Sequence, residues 1–196
     1  QTPVRIVRSG IIDVPVVIVL QPQTLKRTLA NMAEHIGIVM QENKLDQLGV
    51  LEFMDNTNTL QEKLGGEFGL LGKYCSEEMN RQLTELKLDG GFGVVNRQRL
   101  RNALKEQGFK VQDLSSNTKL AGLSKSVGNL PVVVLGTFQS RKGRVVRLRC
   151  NMQQTTGFEE LGAIGGTAEL SLDEWAMLGR SAIVRAEDRQ VNPFNQ

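Results

Sequence analysis

Val132-Val133-Val134-Leu135-Gly136-Thr137-Phe138 is an unbroken run rich in β-branched residues, and its reading decides the fold. Such a run is expected of a strand covered on both faces. It turns through Arg141-Lys142-Gly143 into a segment of alternating character. There Val146, Leu148, Cys150 and Met152 point one way, and Arg147, Arg149, Asn151 and Gln153 point the other. That alternation describes a half-buried strand with a basic outer face. Segments 132–139 and 144–153 therefore read as a hairpin joined by the four residues Ser140–Gly143.

Working upstream, Leu48 to Met54 is a short apolar run closed by Asp55-Asn56-Thr57-Asn58, a polar cluster that favours a turn or loop. The loop continues through Gly65-Gly66. Phe68, Leu71, Cys75, Met79, Leu83 and Leu86 then recur at steps of three and four, which predicts a helix over 67–88 ended by Asp89-Gly90-Gly91. Phe92 to Val95 reads as a brief buried strand. Arg97 to Gln107 reads as a helix with Leu100, Ala103 and Leu104 inward, stopped by Gly108. Ser115-Ser116-Asn117 offers N-cap residues for a short helix carrying Leu120, Leu123 and Val127.

Nearer the start, Leu25, Leu29, Met32, Ile36 and Met40 share one stripe of a helix placed at 22–43, with Pro22 suited to its first turn. Residues 1–21, punctuated by Pro3, Gly10 and Pro15, read as an extended N-terminal arm with a strand near 16–20. Beyond Gly157 the signals weaken. An edge strand is expected at 168–170, a short helix from Asp173 through Trp175 to Leu178, a last strand at Ile183-Val184 and a frayed tail over 192–196. The expected organisation is an arm over 1–21, one compact α/β domain over 22–162 and a C-terminal extension over 163–196.

With 196 residues, 40% of them apolar and 23% charged, the chain is long enough for one well-cored globular domain. The longest apolar run, Ile11 to Leu20, is interrupted by Asp13 and Pro15, so no membrane-spanning segment is predicted. The chain starts at Gln1 rather than Met, so an upstream piece is expected, one able to hold an export signal or a lipid-anchor cysteine. Cys75 and Cys150 each fall on an apolar face, one on a helix and one on a strand. They read as buried free thiols, with a single disulfide as the alternative in an oxidising compartment.

The search for chemistry is mostly negative. Gly91-Phe92-Gly93 precedes a strand and lacks a third glycine, and Gly162-Ala163-Ile164-Gly165-Gly166 has no following Lys-Ser/Thr. Neither is a dinucleotide fingerprint or a phosphate loop, and both read as turns or helix stops. The single histidine, His35, lies on a helix committed to packing, so no Ser-His or Cys-His scheme forms. The adjacent carboxylates Glu77-Glu78, Glu159-Glu160 and Asp173-Glu174 do not face each other on a helix. No catalytic, cofactor or metal residues are assigned, and the chain reads as a non-enzyme.

The basic residues carry more. Arg141, Lys142, Arg144, Arg147 and Arg149 lie in one hairpin, and the last three are expected to share a face. Arg97, Arg99 and Arg101 add a second group. Three readings stay open: a solvated sheet face, a protein or cell-wall contact, and a nucleic-acid surface. The last is disfavoured, because only 5% of residues are aromatic and none interleaves the arginines to stack bases.

Four motifs also occur in a recognisable order. They are Val50-Leu51-Glu52-Phe53-Met54-Asp55-Asn56-Thr57, Val94-Val95-Asn96-Arg97-Gln98-Arg99-Leu100, Leu104-Lys105-Glu106-Gln107-Gly108-Phe109 and Val134-Leu135-Gly136-Thr137. Through them the chain from Thr24 to Gly162 resembles the curli-assembly/transport family and its relatives. These are the flagellar outer-membrane assembly lipoproteins, the penicillin-binding-protein activator lipoproteins and the amino-terminal domain of the Tol translocation protein. The resemblance implies a mixed sheet flanked by helices, like anticodon-binding domains, a fold analogy that licenses no RNA binding. It implies a non-enzymatic envelope protein, periplasmic or outer-membrane-associated, that supports assembly or secretion of a surface structure. Partners would be other envelope or cell-wall assembly proteins, with self-association as a further option. A basic module binding nucleic acid or cell-wall polymer through the 141–149 arginine face is the alternative. The candidate interaction residues are Arg144, Arg147, Arg149, Arg97 and Trp175. Departures from the family pattern are Asn96 in place of Asp and the absence of the long pore-forming hairpins.

Overall fold

The computed structural model describes residues 23–56 and 69–178. The arm over 1–21, the loop through Gly65-Gly66, the strand at Ile183-Val184 and the tail over 192–196 lie outside the described residues. The sheet comprises Gln23–Thr24 (β1), Gln47–Val50 (β2), Met54–Asp55 (β3), Gly93–Val94 (β4), Val132–Ser140 (β5), Val145–Gln154 (β6) and Glu160–Glu169 (β7). Its order is β1-β7-β6-β5-β2-β4, with β3 also on β5. β5, β6 and β7 form an antiparallel meander, and the remaining pairings are parallel. The helices are Leu25–Glu42 (α1), Gly69–Gly90 (α2), Arg97–Glu106 (α3), Asn117–Ser126 (α4) and Leu172–Ala176 (α5), with a 3-10 helix at Val111–Ser115. This is the mixed sheet flanked by helices that the family resemblance implied.

Each long element forms for a visible reason. Thr24 caps α1 by accepting from the Arg27 N–H at 3.3 Å, and the predicted stripe from Leu25 to Met40 is buried. Asn96 caps α3, its Oδ1 accepting from the Gln98 N–H at 2.8 Å. An Asn does this as well as the Asp of the family pattern. α3 closes at Gly108, whose φ of 65° suits glycine, while the Phe109 N–H bonds back to the Leu104 carbonyl.

The core has two parts, one on each side of the sheet. Between the sheet and α1 and α2 lie Leu29, Met79, Val134, Phe138, Leu148 and Met152, among others. Under α3 and α4 lie Leu51, Val133, Leu100, Leu120 and Leu123. The 48–54 run is therefore not one strand. Leu51 turns into the second cluster and Phe53 into the first, so pairing breaks between β2 and β3.

Phe53 sits where three elements converge. Its ring is fully buried, and a Cβ on Gly136 of β5 would lie 2.3 Å from it. A Cβ on Gly72 of α2 would lie 2.2 Å from the Phe53 carbonyl oxygen. Two glycines thus admit one phenylalanine between a helix and the sheet.

The largest departure from the sequence reading is β7. Only an edge strand at 168–170 is legible, with a domain boundary drawn at 162, yet β7 runs over Glu160–Glu169 and pairs with β6 along its length. The boundary falls inside this strand. Gly162, Gly165 and Gly166, read as turns or helix stops, are strand residues. Gly166 has a packing reason: a Cβ there would meet Thr28 Cγ2 of α1 at 2.5 Å. The glycine that lets α1 lie directly on the strand is among those that hide it from a pattern search.

Cys75 and Cys150 are free and buried in the α1/α2 side of the core. Burial pushes the Cys75 thiol up to about 12, with the Glu174 charge adding to it. Burial pushes the Cys150 thiol up as well, and the Cys75 charge adds a smaller push. Both thiols therefore stay neutral in the fold, whereas unfolded thiols titrate at about 8.5. Their contribution to stability is fully present below that value and is lost as pH climbs toward the folded value. The expected slope is about 1.4 kcal/mol per pH unit for each thiol. Ellman's reagent should label neither thiol in the folded protein at pH 8 and both in denaturant; rapid labelling of the folded protein would contradict this burial.

Candidate functional site

α3 and α4 cover only part of their side of the sheet. Along β5, Val133 lies in that side's core and Leu135 packs against it, but Thr137 and Gln139 follow on the same face beyond the helices. The expectation that 132–138 is covered on both faces therefore holds only for its first half. Opposite them on β6 stand Arg149, which pairs in register with Thr137, and Arg147, which pairs with Gln139. On the next strand Thr167 pairs with Arg147 and Gly165 with Arg149. Among the described residues no helix covers this face, which an arginine ridge on β6 crosses.

Between that ridge and the end of β3 runs a groove of about 230 Å³, lined by Asn56, Thr137, Phe138, Gln139, Arg147 and Arg149. Its lining is mostly polar: two guanidiniums, two side-chain amides and a hydroxyl. Asn56, Thr137 and Gln139 are not among the candidate interaction residues named from the sequence. The available signal was the switch from apolar to polar at Thr137 and Gln139, alternate positions of an otherwise apolar strand.

The ridge arginines differ from the other basic residues in their partners. Arg149 Nε donates to Asn151 Oδ1 at 3.1 Å, a neutral acceptor, and Arg147 has no ion pair among the described residues. Arg144, at the hairpin end, pairs with Glu169 at 3.1 Å. Arg97 pairs with Glu77 at 3.0 Å and with Glu52 at 3.5 Å, and Arg101 reaches Glu52 at 2.7 Å. Burial holds the Arg97 guanidinium below its ordinary value, and the Arg101 charge acts the same way against Glu77 and Glu52. It stays charged, since a guanidinium does not deprotonate in proteins.

The five candidate interaction residues therefore do not make one surface. Arg147 and Arg149 share the open face, with Arg144 at its end. Arg97 belongs to a four-residue charge cluster with Arg101, Glu52 and Glu77, its side chain only 11% exposed. The expected second basic group is thus largely neutralised. Trp175 lies on α5, which opens with a capping box between Ser171 and Glu174. It is partly buried against the core on the α1/α2 side of the sheet, away from the ridge. Tyr74 of α2 marks the same neighbourhood: burial first, then the Glu174 and Glu78 charges, push its hydroxyl above the ordinary value.

His35 is exposed on α1, its Nδ1 2.8 Å from the Asn31 carbonyl oxygen. Among the described residues, no group of three His, Cys, Asp or Glu could hold a metal. Among them too, no helix is long and apolar enough to cross a membrane.

No protein-family model matches the chain, and no curated protein does. Solved structures do. The LpoB C-terminal domain from Salmonella enterica aligns at 17% identity and a TM-score of 0.53, covering 74% of this chain and 98% of that one. The LpoB C-terminal domain from Escherichia coli aligns at 18% identity and a TM-score of 0.54 over the same shares. The solution structure of E. coli LpoB covers 86% of this chain and 81% of its own, at 16% identity and a TM-score of 0.54. At these identities the likeness establishes the fold.

Proposed function

We propose that this chain is a non-enzymatic cell-envelope protein, periplasmic or outer-membrane-associated, that supports assembly of the envelope by contacting a cell-wall assembly protein. The carrying observation is the face of β5, β6 and β7 that no described helix covers, where Arg147 and Arg149 stand without carboxylate partners among the described residues, while α1 and α2 cover the other side of the sheet. A charged side chain kept solvent-facing and unpaired at a sheet centre is available for a partner. The LpoB-like fold supports the envelope-lipoprotein side of the family resemblance over the curli-secretion side.

Within that resemblance, the penicillin-binding-protein activators supply the specific reading: a domain that binds a wall synthase and changes its output without chemistry of its own. The polar groove beside the ridge suits contact better than turnover, because its described lining pairs no nucleophile with a base.

The test is fractionation of cells producing the full-length protein, with co-purification after cross-linking. The protein is expected in the envelope fraction together with wall-synthesis enzymes. A purely cytosolic location would sink the reading.

A further inference from the structure

We propose that the Arg147/Arg149 ridge and its groove dock an extended, acidic segment of the partner, with carboxylates at every second residue. This inference rests on the protein-contact reading above and specifies the chemistry of the contact.

Spacing comes first. Arg147 and Arg149 are two residues apart on β6 and face the same side. Same-face positions on a strand repeat at roughly 6.6–6.8 Å. An extended partner segment repeats its own side chains at the same interval, so alternate carboxylates meet one guanidinium each. A helical partner would place same-face neighbours at i, i+3 and i+4, about 5–6 Å apart, a shorter step than that of the ridge.

Chemistry comes second. The guanidinium fork matches a carboxylate in two parallel hydrogen bonds. Arg144, Arg97 and Arg101 already have carboxylates of this chain, at 3.1, 3.0 and 2.7 Å. Arg147 and Arg149 have none among the described residues, so their charge is left for an external anion. Asn56 and Gln139 line the groove beside them with amides that both donate and accept. Those groups suit the alternating N–H and C=O of an extended main chain.

Shape comes third. Beyond the ridge, the β7 positions on the same face are Ala163, Gly165 and Thr167, paired with Asn151, Arg149 and Arg147. These small residues leave the arginines unshaded and let a backbone approach the sheet. They also end the positive charge after one strand. A nucleic acid would need a longer basic track or aromatic platforms, and neither crosses this face.

The probe is a fluorescein-labelled peptide, Thr-Glu-Thr-Glu-Thr-Glu-Thr, titrated against the protein by fluorescence anisotropy at low salt. Saturable binding is expected, weakened at least about tenfold by Arg147→Glu with Arg149→Glu. The same charge change at Lys105→Glu with Lys125→Glu, two exposed helix positions, should leave binding within about twofold, since rim charges act weakly at a distance. Circular dichroism melts establish that both double variants stay folded. A peptide of equal charge with its glutamates in one block should bind more weakly than the alternating one. The inference is overturned if the ridge reversal leaves peptide binding unchanged, or if the peptide fails to bind. It is equally overturned if single-stranded DNA or phosphatidylglycerol vesicles bind through the ridge while the peptide does not. Failure here with envelope co-purification intact would remove the acidic-segment chemistry and leave the protein-contact reading standing.

Discussion

Phe53→Ala is expected to lower folding stability by about 3–5 kcal/mol, the range for a fully buried phenylalanine cut back to a methyl group. The ring is entirely buried and lies against the bare backbone of Gly136. Neither glycine beside it has a side chain that could swing into the space, so the cavity stays. Urea unfolding should show a lower midpoint with an unchanged slope. The same geometry makes Phe53 and Gly136 strongly coupled. Gly136→Ala alone drives a Cβ into the ring, but in the Phe53→Ala background it fills part of the cavity. A double-mutant cycle should therefore show clear non-additivity. A loss under ~1 kcal/mol for Phe53→Ala would contradict the buried ring.

Gly72→Ala tests the other side of the same contact, and its sign is the informative part. In an ordinary helix interior this change stabilises by about 1 kcal/mol, because alanine is the better helix former. Here the new methyl would lie 2.2 Å from the Phe53 carbonyl oxygen, a backbone atom that no rotamer change can move. Helix α2 must lift from the sheet, and overpacking of that kind costs about 3 kcal/mol. The clash exceeds the propensity gain, so a net loss of about 2 kcal/mol is expected in thermal or urea unfolding. Stabilisation would show that α2 does not approach the sheet at Gly72.

Legibility in the sequence followed the physics of each element. The β5–β6 hairpin was readable because Val146 to Met152 alternate cleanly between core and solvent. Helix α1 was readable because Leu25 to Met40 mark one stripe. β7 was not, because Ala163, Gly165 and Gly166 carry too little side chain to show a period of two. The strand exists because backbone pairing with β6 and the close approach of α1 stabilise it. The break at 51–53 was hidden for a different reason: Leu51 and Phe53 are both apolar, and only the tertiary packing sends them to opposite clusters.

The candidate site was half legible. Spacing alone put Arg147 and Arg149 on one face. Spacing could not reveal that Glu52, far away in sequence, sits against Arg97 and Arg101. Ion pairing between distant segments leaves no local pattern, so one arginine group was open and the other closed without any sign in the chain. Trp175 shows the same limit, since a lone aromatic near the end of a chain reads equally as an anchor for a partner or as packing.

Site-resolved photo-cross-linking in intact cells addresses the contact reading most directly. A photoreactive residue at Gln139, inside the groove, is compared with one at Ile38, which is 52% exposed on α1 across the sheet. The account predicts a covalent adduct between the Gln139 position and an envelope cell-wall assembly protein, lost with Arg147→Glu and Arg149→Glu, and none from Ile38. Adducts from Ile38 alone, or adducts from Gln139 only to cytosolic proteins, would contradict it.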